Sequence, residues 1–126
     1  MVIVQKRSLR KPSGARYKLA PTKRVHQRGS AAALTVVGDR RVVTRRVKGG
    51  EEKNRSLKAK VVNVFDPAKK QYVQATITNL AENAANRNFV RRNIMTKGCV
   101  VHTDIGKVRI TNRPGQEAAL NGVKVE

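Results

Sequence analysis

The sequence has few acidic residues, few aromatic residues and a single cysteine. Asp and Glu together number 8 in 126 residues, against 28 Lys and Arg, which gives a formal net charge of +20. A compact chain with this charge repels itself unless an anionic partner joins it. The carboxylates are also dispersed, so no pair suited to acid–base catalysis is evident. The shortage of acid therefore predicts a binding protein with a polyanionic partner, and not an enzyme.

Aromatic residues make up 3% of the chain and tryptophan is absent, so there is little material on which single-stranded bases can stack. Tyr17, Phe65, Tyr72 and Phe89 are the candidates, and the pattern around Phe65 predicts that it lies in the core. The composition thus disfavours a protein devoted to single-stranded nucleic acid.

The single cysteine, Cys99, excludes an internal disulfide framework and a cysteine-based metal site. Neither His26 nor His102 lies at a metal-ligand spacing from it. In a strand, Cys99 and His102 point to opposite faces because their separation is odd, which argues against a Cys–His nucleophile pair. We expect a buried Cys99 and no metal ion, cofactor or small-molecule substrate.

Long apolar runs and nucleotide-binding motifs are also missing. No run approaches the ~18 residues that a membrane span needs, and the opening Met1–Val4 is too short for the core of a signal peptide. No Gly-rich loop carries the Lys-Ser/Thr pair that binds nucleotide phosphates. We therefore expect a soluble, reduced, intracellular protein without a membrane partner.

Positive charge is concentrated in the first half of the chain. Residues 1–60 hold 18 basic and 3 acidic side chains, whereas residues 61–126 hold 10 and 5. The first 30 residues hold 9 basic and no acidic side chains, and their apolar residues follow no period. Such a segment buries too little surface to offset its ordering entropy. We expect residues 1–33 to form a basic extended segment, disordered when alone, that follows a phosphate backbone, and residues 34–126 to form one folded domain.

Strand-forming residues dominate after Leu34. The chain contains 18 Val and 5 Ile against 6 Leu, a β-branched excess that favours strands over helices. Gly, Pro and Asp residues divide the chain into strand-length runs at 34–37, 40–48, 56–65, 71–79, 99–103, 107–111 and 119–125. Short strands at this spacing predict an all-β domain, a small closed or partly open barrel of about six to seven strands.

Alternation within these runs predicts which side chains face inward. In the run 107–111, Val108 and Ile110 are expected inward. The run 56–65, taken as a single strand, places on one face the side chains of Leu57, Ala59, Val61 and Phe65. The run 40–48 alternates poorly, which indicates either a bulge or a strand buried on one side and bound on the other.

The stretch Leu80–Val90 shows neither the alternation nor the β-branched excess of the strand-length runs. Its Ala and Glu residues favour a helical turn, whereas Asn83, Asn86 and Asn88 favour an irregular loop. We expect a long connection with about one turn of helix.

Basic residues form four clusters that together exceed what solubility requires. Lys and Arg contacts with phosphates release condensed counterions, which gives strong, salt-dependent affinity. We therefore predict a phosphate-binding set, together with the turn residues of its first cluster: Lys6, Arg7, Arg10, Lys11, Ser13, Gly14, Arg16, Lys18, Lys23, Arg24, Arg28, Arg40, Arg41, Arg45, Arg46, Lys48, Lys53, Arg55, Lys58, Arg91, Arg92, Lys97 and Arg113.

Charge alone does not distinguish DNA from RNA. No recognition helix for a major groove is evident, which weakens the case for a sequence-specific DNA reader. A scaffold that recognises backbone shape, as structured RNA often requires, fits best. A free architectural DNA-binding protein and an RNA-processing enzyme remain as alternatives, although the enzyme lacks paired acids, a metal site or a histidine dyad.

Several long motifs resemble one known family. They are RRNIMTKG at 91–98, GKVRITNRPGQ at 106–116, VNVFDP at 62–67, NLAEN at 79–83, RRVKGG at 45–50 and RKPSGA at 10–15. Together they resemble the archaeal and eukaryotic-type eighth small-subunit ribosomal protein, in its compact archaeal form. The resemblance covers most of residues 6–16 and essentially all of 38–126, whereas residues 19–33 depart from the denser basic run usual in the family.

The resemblance implies a β-barrel whose basic extension threads into small-subunit rRNA. It implies no catalysis and no cofactor. The expected partners are therefore small-subunit rRNA and neighbouring small-subunit ribosomal proteins, and the expected location is the ribosome in the cytoplasm.

Overall fold

Strands dominate the computed structural model, which describes residues 7–18, 22 and 24–125. The chain divides into two units, residues 1–32 and 33–126, which are described separately. In the second unit, short one-turn helices occur at Lys48–Gly50 (3-10) and Asn88–Arg91 (α1). The strands are β1 (Val36–Val37), β2 (Arg41–Arg46), β3 (Glu52–Ala59), β4 (Val61–Asp66), β5 (Gln71–Glu82), β6 (Val100–Thr103), β7 (Gly106–Ile110) and β8 (Asn121–Lys124).

Five of these strands close a barrel in the order β4-β5-β6-β7-β8. Neighbouring strands are antiparallel except at the closure, where β4 runs parallel to β8. The remaining strands form a three-stranded sheet in the order β1-β3-β2. The prediction of an all-β protein with a small closed barrel is confirmed, but the barrel has five strands and not six to seven, because β1, β2 and β3 form the separate sheet. Within the described ranges, no helix is long and apolar enough to cross a membrane.

The core lies inside the barrel and consists of alternate side chains of its strands. Val62 and Val64 of β4 meet Val101 of β6 and Val108 of β7, all at 0% exposure. Ile110 is also buried, which confirms the predicted alternation of β7. The β-branched excess of the sequence thus supplies the interior of the barrel, because branched side chains pack well on a pleated surface.

The predicted inward face of residues 56–65 is wrong. The run is two strands, β3 and β4, separated by Lys60, and the inward positions change parity between them. Ala59 is buried, but Val61 is 50% exposed, while Val62 and Val64 fill the core. Phe65 is only half-buried and lies on the outer face of the barrel. The inward positions change parity because the chain leaves the three-stranded sheet and enters the barrel at Lys60.

A glycine permits close approach of two strands at the barrel closure. A Cβ atom on Gly122 of β8 would lie 2.5 Å from Cγ1 of Val108 and 3.0 Å from the carbonyl oxygen of Arg109. Such distances are well inside van der Waals contact, so β7 and β8 require glycine at this position.

Hydrogen bonds fasten the three-stranded sheet to the barrel. The amide of Met95 donates to the Thr35 carbonyl at 2.8 Å, and the amide of Ser56 donates to the Pro114 carbonyl at 3.1 Å. Within the sheet, the buried Thr35 hydroxyl donates to the Ser56 carbonyl at 2.6 Å and ties the two anchored residues together. An isolated bridge between Val36 and Ile94 adds to these links. The sheet is therefore held at its base, while β2 and the outer part of β3 extend into solvent.

The described part of the first unit contains a small hairpin. Arg10 and Arg16 form an antiparallel bridge, and the amide of Tyr17 donates to the Leu9 carbonyl at 2.9 Å. Gly14, with φ +83°, supplies the left-handed position that the reversal needs. Residues 7–18 therefore double back, whereas the charge pattern predicts an extended segment there. A single 3-10 turn follows at Val25–Gln27.

Candidate nucleic-acid interface

The β2–β3 hairpin presents the densest group of predicted site residues. On one face Arg45 lies opposite Lys53, and Val43 lies opposite Arg55. The other face carries Arg46 opposite Glu52. Apart from half-buried Arg55, these charged side chains are exposed. The two strands thus carry cations on both faces of one ribbon.

The turn that closes this hairpin explains its shape. The Val47 amide donates to the Glu51 carbonyl at 2.8 Å, and Gly49 and Gly50 adopt φ values of +80° and +83°. A register shift lies between Arg41 and Val42. The extra residue at this shift is Leu57 of β3, and pairing is regular from Val42 to Arg46, so a bulge in β2 does not explain the poor alternation of the run 40–48, which instead is exposed over most of its length.

Two cations of the hairpin are not neutralised by the protein itself. Within residues 33–125, neither Arg46 nor Lys53 forms an ion pair, although Glu52 lies opposite Arg46. The ion pair that does form, Lys124 Nζ to Asp66 Oδ2 at 3.8 Å, lies in the barrel. Arg46 and Lys53, on a projecting ribbon, are therefore available to an external anion.

Arg55 is the least accessible of the predicted hairpin residues. Its Nε atom is buried and has no hydrogen-bond acceptor among the described residues. Only the terminal amino groups of the Arg55 guanidinium are therefore left to contact a phosphate.

A second basic group lies on the connection between β5 and β6. Arg91 and Arg92 are exposed at the end of α1, and Lys97 is exposed a few residues further on. This one-turn helix confirms the helical turn predicted for the stretch Leu80–Val90, although residues 80–82 belong to β5 and not to the connection. It follows two Asn turns, in which Asn83 Oδ1 accepts from the Ala85 amide at 3.0 Å and Asn86 Oδ1 accepts from the Asn88 amide at 2.8 Å.

Asn83 also holds the connection in place. It is buried, its Nδ2 donates to the Ile94 carbonyl at 3.1 Å, and its Oδ1 accepts from the Thr96 hydroxyl at 3.0 Å. One side chain thus fixes both ends of the loop that presents Arg91 and Arg92.

In the first unit, the small hairpin bridged by Arg10 and Arg16 brings several predicted residues together. The guanidinium carbon of Arg7 lies 3.8 Å from the centroid of the Tyr17 ring, and Lys11 Nζ lies 5.3 Å from it. Such cation–π contacts stabilise the hairpin. The remaining predicted residues that the structure describes here are also exposed: Arg10, Ser13, Gly14, Arg16, Lys18, Arg24 and Arg28. Lys6 and Lys23 lie outside the described residues.

The other predicted residues of the second unit are exposed but belong to separate elements. Arg40, Arg41, Lys48 and Lys58 lie in or beside the three-stranded sheet, and Arg113 lies in the loop before β8. The structure therefore groups the residues of 40–58 on one sheet, and leaves the 91–97 group and Arg113 on other connections.

Sequence reasoning missed a basic cleft on the barrel. Arg87 and Arg109 line a cavity of about 390 Å³, together with Glu82 and Val100. Arg109 lies on the outer face of β7, since its neighbours Val108 and Ile110 point inward. The alternation of residues 107–111 was the signal that could have identified it.

The groups considered for catalysis are not arranged for it. Cys99 is fully buried, and burial raises the pKa of its thiol. His102 is exposed on the outer face of β6, as the odd separation predicts. Among the described residues, no cluster of three or more His, Cys, Asp or Glu could hold a metal ion.

Comparison with known proteins places the chain in a family. The family model for Ribosomal protein S8e matches residues 4–125. Small ribosomal subunit protein eS8 of Methanocorpusculum labreanum is 43% identical over 122 residues, which is 97% of this chain and 98% of that protein. The protein of the same name from Methanosphaera stadtmanae is 45% identical over 129 residues, with 100% of both chains covered. That from Nanoarchaeum equitans is 42% identical over 122 residues, 97% of this chain and 96% of its own length. With a match over almost its whole length, the chain belongs to the ribosomal protein S8e family.

Proposed function

We propose that this chain is a structural component of the small ribosomal subunit, where it binds folded rRNA by neutralising its phosphate backbone. The observation that carries the proposal is the β2–β3 hairpin, whose cations are exposed on both faces. Family membership supplies the ribosomal context, because the relatives are named as proteins of the small subunit. That family is named for a ribosomal protein and not for an enzyme.

The hairpin acts as a rigid ribbon that enters between RNA helices. Its base is fastened to the barrel unit by backbone hydrogen bonds from the Met95 amide to the Thr35 carbonyl and from the Ser56 amide to the Pro114 carbonyl, so its cations are positioned before RNA arrives. Preorganised cations lose less entropy on binding than cations on a disordered chain. Repulsion between adjacent phosphate backbones then falls, and the helices pack closely.

The basic segment 1–33 acts as a second, threading contact in this proposal. Its side chains carry 9 basic charges in the first 30 residues without an acid. The turn at Gly14 has open space around its Cα, since a Cβ there would meet nothing within 4 Å. An RNA backbone can therefore approach the main chain closely at this turn. The partners are small-subunit rRNA and adjoining small-subunit proteins, and the protein resides in the ribosome in the cytoplasm.

The test is a competition between RNA and DNA for the full chain. Purified small-subunit rRNA and duplex DNA are compared at ~200 mM salt, where merely electrostatic affinity falls ~10³-fold or more from its value at ~50 mM. We expect rRNA to bind much more tightly than DNA. Equal affinity for both would support the architectural DNA-binding alternative. In a high-salt sucrose gradient of cell extract, the chain should sediment stoichiometrically with the small subunit.

Single substitutions locate the interface. Arg46→Ala and Lys53→Ala should each weaken rRNA binding and reduce the steepness of the salt dependence by about one unit, without altering sequence preference. Glu52→Gln is the matched control of opposite sign, because it removes a negative charge beside Arg46 and should strengthen binding. If Lys53→Ala left both the affinity and the salt dependence unchanged, the hairpin would not be the interface.

A further inference from the structure

The outer face of the barrel carries an aromatic pair, one ring of which is largely exposed. Phe65 of β4 and Tyr72 of β5 are cross-strand partners, with ring centroids 5.1 Å apart and ring planes tilted by 49°. Phe65 is half-buried, whereas Tyr72 is 78% exposed. Tyr72 is therefore not a core residue. Phe65 contacts one side of the Tyr72 ring, and most of the Tyr72 ring is exposed to solvent.

Strand register extends this pair into a row across the barrel. Phe65 pairs with Val123 of β8, and Val123 pairs with Arg109 of β7. Phe65 and Arg109 alternate with buried residues and Val123 follows buried Gly122, which places these side chains on the outer face. Tyr72 lies on the same face because its ring contacts that of its cross-strand partner Phe65. The row therefore runs from an exposed aromatic ring to an exposed guanidinium group.

A row of three amide side chains lies directly beside the first. Gln74, Asn63 and Asn121 are adjacent across β5, β4 and β8. Asn63 Nδ2 donates to Asn121 Oδ1 at 3.3 Å, which leaves further donors and acceptors of both amides open. Asn63 and Gln74 also line a cavity of about 430 Å³ with Arg40 and Lys60 among its other lining residues.

The tip of the β4–β5 hairpin adds positive charge beside Tyr72. Lys69 and Lys70 are both exposed, and Lys70 has a φ of +52°. The carboxylate of Asp66 does not neutralise them, because it is buried, accepts from the Ala68 amide at 3.1 Å and pairs with Lys124. The tip is thus an ordered turn whose two cations form no ion pair within the part of the chain that the structure describes.

These features together select one kind of occupant. Aromatic rings stack on bases, amides form hydrogen bonds with base edges, and nearby cations bind the flanking phosphates. A protein partner would need a continuous surface of roughly 800 Å² per side, whereas this apolar area is one row wide and is bordered by amides and cations. The charge and the chemistry of the surface both fit a nucleotide.

From this arrangement we propose that the outer face of β4, β5 and β8 binds an unpaired nucleotide of small-subunit rRNA, with its base stacked on Tyr72. Lys69 and Lys70 contact the adjoining phosphates, and the amide row contacts the edge of the base. This inference rests on the proposed function. It adds a contact with an RNA base, whereas the proposed function by itself involves contacts with the phosphate backbone.

The absence of tryptophan from the sequence permits a direct test. Tyr72→Trp introduces a single tryptophan at the stacking position, and the full-length variant is titrated with small-subunit rRNA. Stacking on a base should quench its fluorescence at the same RNA concentration at which binding saturates. Tyr72→Ala should weaken binding about tenfold, with the salt dependence unchanged, because a stacking contact releases no counterions. Gln71→Ala is the matched control on the neighbouring residue and should bind as the unchanged protein does.

Each outcome decides the inference. Tight rRNA binding without fluorescence quenching in the Tyr72→Trp variant, together with an unaffected Tyr72→Ala variant, would overturn the stacking site and leave the proposed function standing. Failure of every variant, and of the unchanged chain, to bind rRNA would overturn the proposed function itself. If Tyr72→Ala bound free rRNA normally but lost a neighbouring protein from reconstituted subunits, the face would be a protein-docking surface. Thermal unfolding of Tyr72→Ala checks its fold, which should be retained because the side chain is exposed.

Discussion

The Thr35 hydroxyl donates to the Ser56 carbonyl oxygen at 2.6 Å, and both residues are buried where the three-stranded sheet meets the barrel. Thr35→Val keeps the shape of the side chain but leaves that buried carbonyl without this donor. We expect a loss of about 1–3 kcal/mol in the free energy of unfolding, measured by urea denaturation. Thr44→Val is the matched control. Its hydroxyl also makes a 2.6 Å hydrogen bond, but on the exposed hairpin, so its cost should stay below about 0.5 kcal/mol.

Gly122 should be intolerant of a side chain. Gly122→Ala places a Cβ against Val108 and the Arg109 carbonyl, and we expect the barrel to lose about 1–3 kcal/mol of stability through overpacking. The Val108→Ala background removes the contacting Cγ1 atom, so Gly122→Ala should cost less there. An equal cost in both backgrounds would show that the side-chain contact is not responsible.

Cys99 should make stability depend on pH in the alkaline range. Burial raises the pKa of its thiol in the folded protein, so the folded state retains the proton at pH values where the unfolded chain loses it. Stability from this group is complete below the ordinary thiol pKa of about 8.5 and falls as pH rises above it. The urea midpoint should therefore decline more steeply between about pH 8 and pH 10 in the unchanged protein than in Cys99→Ala. Parallel profiles would contradict the prediction.

Asn83 should control both stability and the display of the second basic group. Asn83→Ala removes three hydrogen bonds, to the Ile94 carbonyl, the Ala85 amide and the Thr96 hydroxyl. We expect a cost of about 3 kcal/mol, at roughly 1 kcal/mol for each bond. Amide hydrogen exchange over residues 83–96 should also accelerate. Asn86→Ala breaks one exposed bond and should cost less than about 1 kcal/mol, so similar losses for the two variants would refute the assignment.

The barrel was predictable from sequence because its strands are short, rich in valine and separated by turn residues. The inward positions of Val108 and Ile110 followed from alternation alone, since β7 belongs to a single sheet. Alternation failed between Ser56 and Phe65 because it assumes one continuous strand. One intervening residue, Lys60, transfers the chain to another sheet, and neither the composition nor the period of the run marks that transfer.

The candidate interface was only partly predictable for a related reason. Clusters close in sequence, such as those in β2 and β3, could be recognised from the charge pattern. The row from Tyr72 through Phe65 and Val123 to Arg109 joins residues from four strands, so it depends on strand register, which the sequence pattern does not specify.

The parallel pairing of β4 with β8 also determines when the barrel can close during synthesis of the chain. Asn63 of β4 pairs with Asn121 of β8, so the barrel cannot close until the last of its strands has been synthesised. The β2–β3 hairpin needs only contacts that are local along the chain, which form early because little loop entropy opposes them. All residues of this cationic hairpin are thus synthesised before its barrel can close. The anchorage of the hairpin is therefore completed late, because the Pro114 carbonyl that accepts from the Ser56 amide belongs to the loop just before β8.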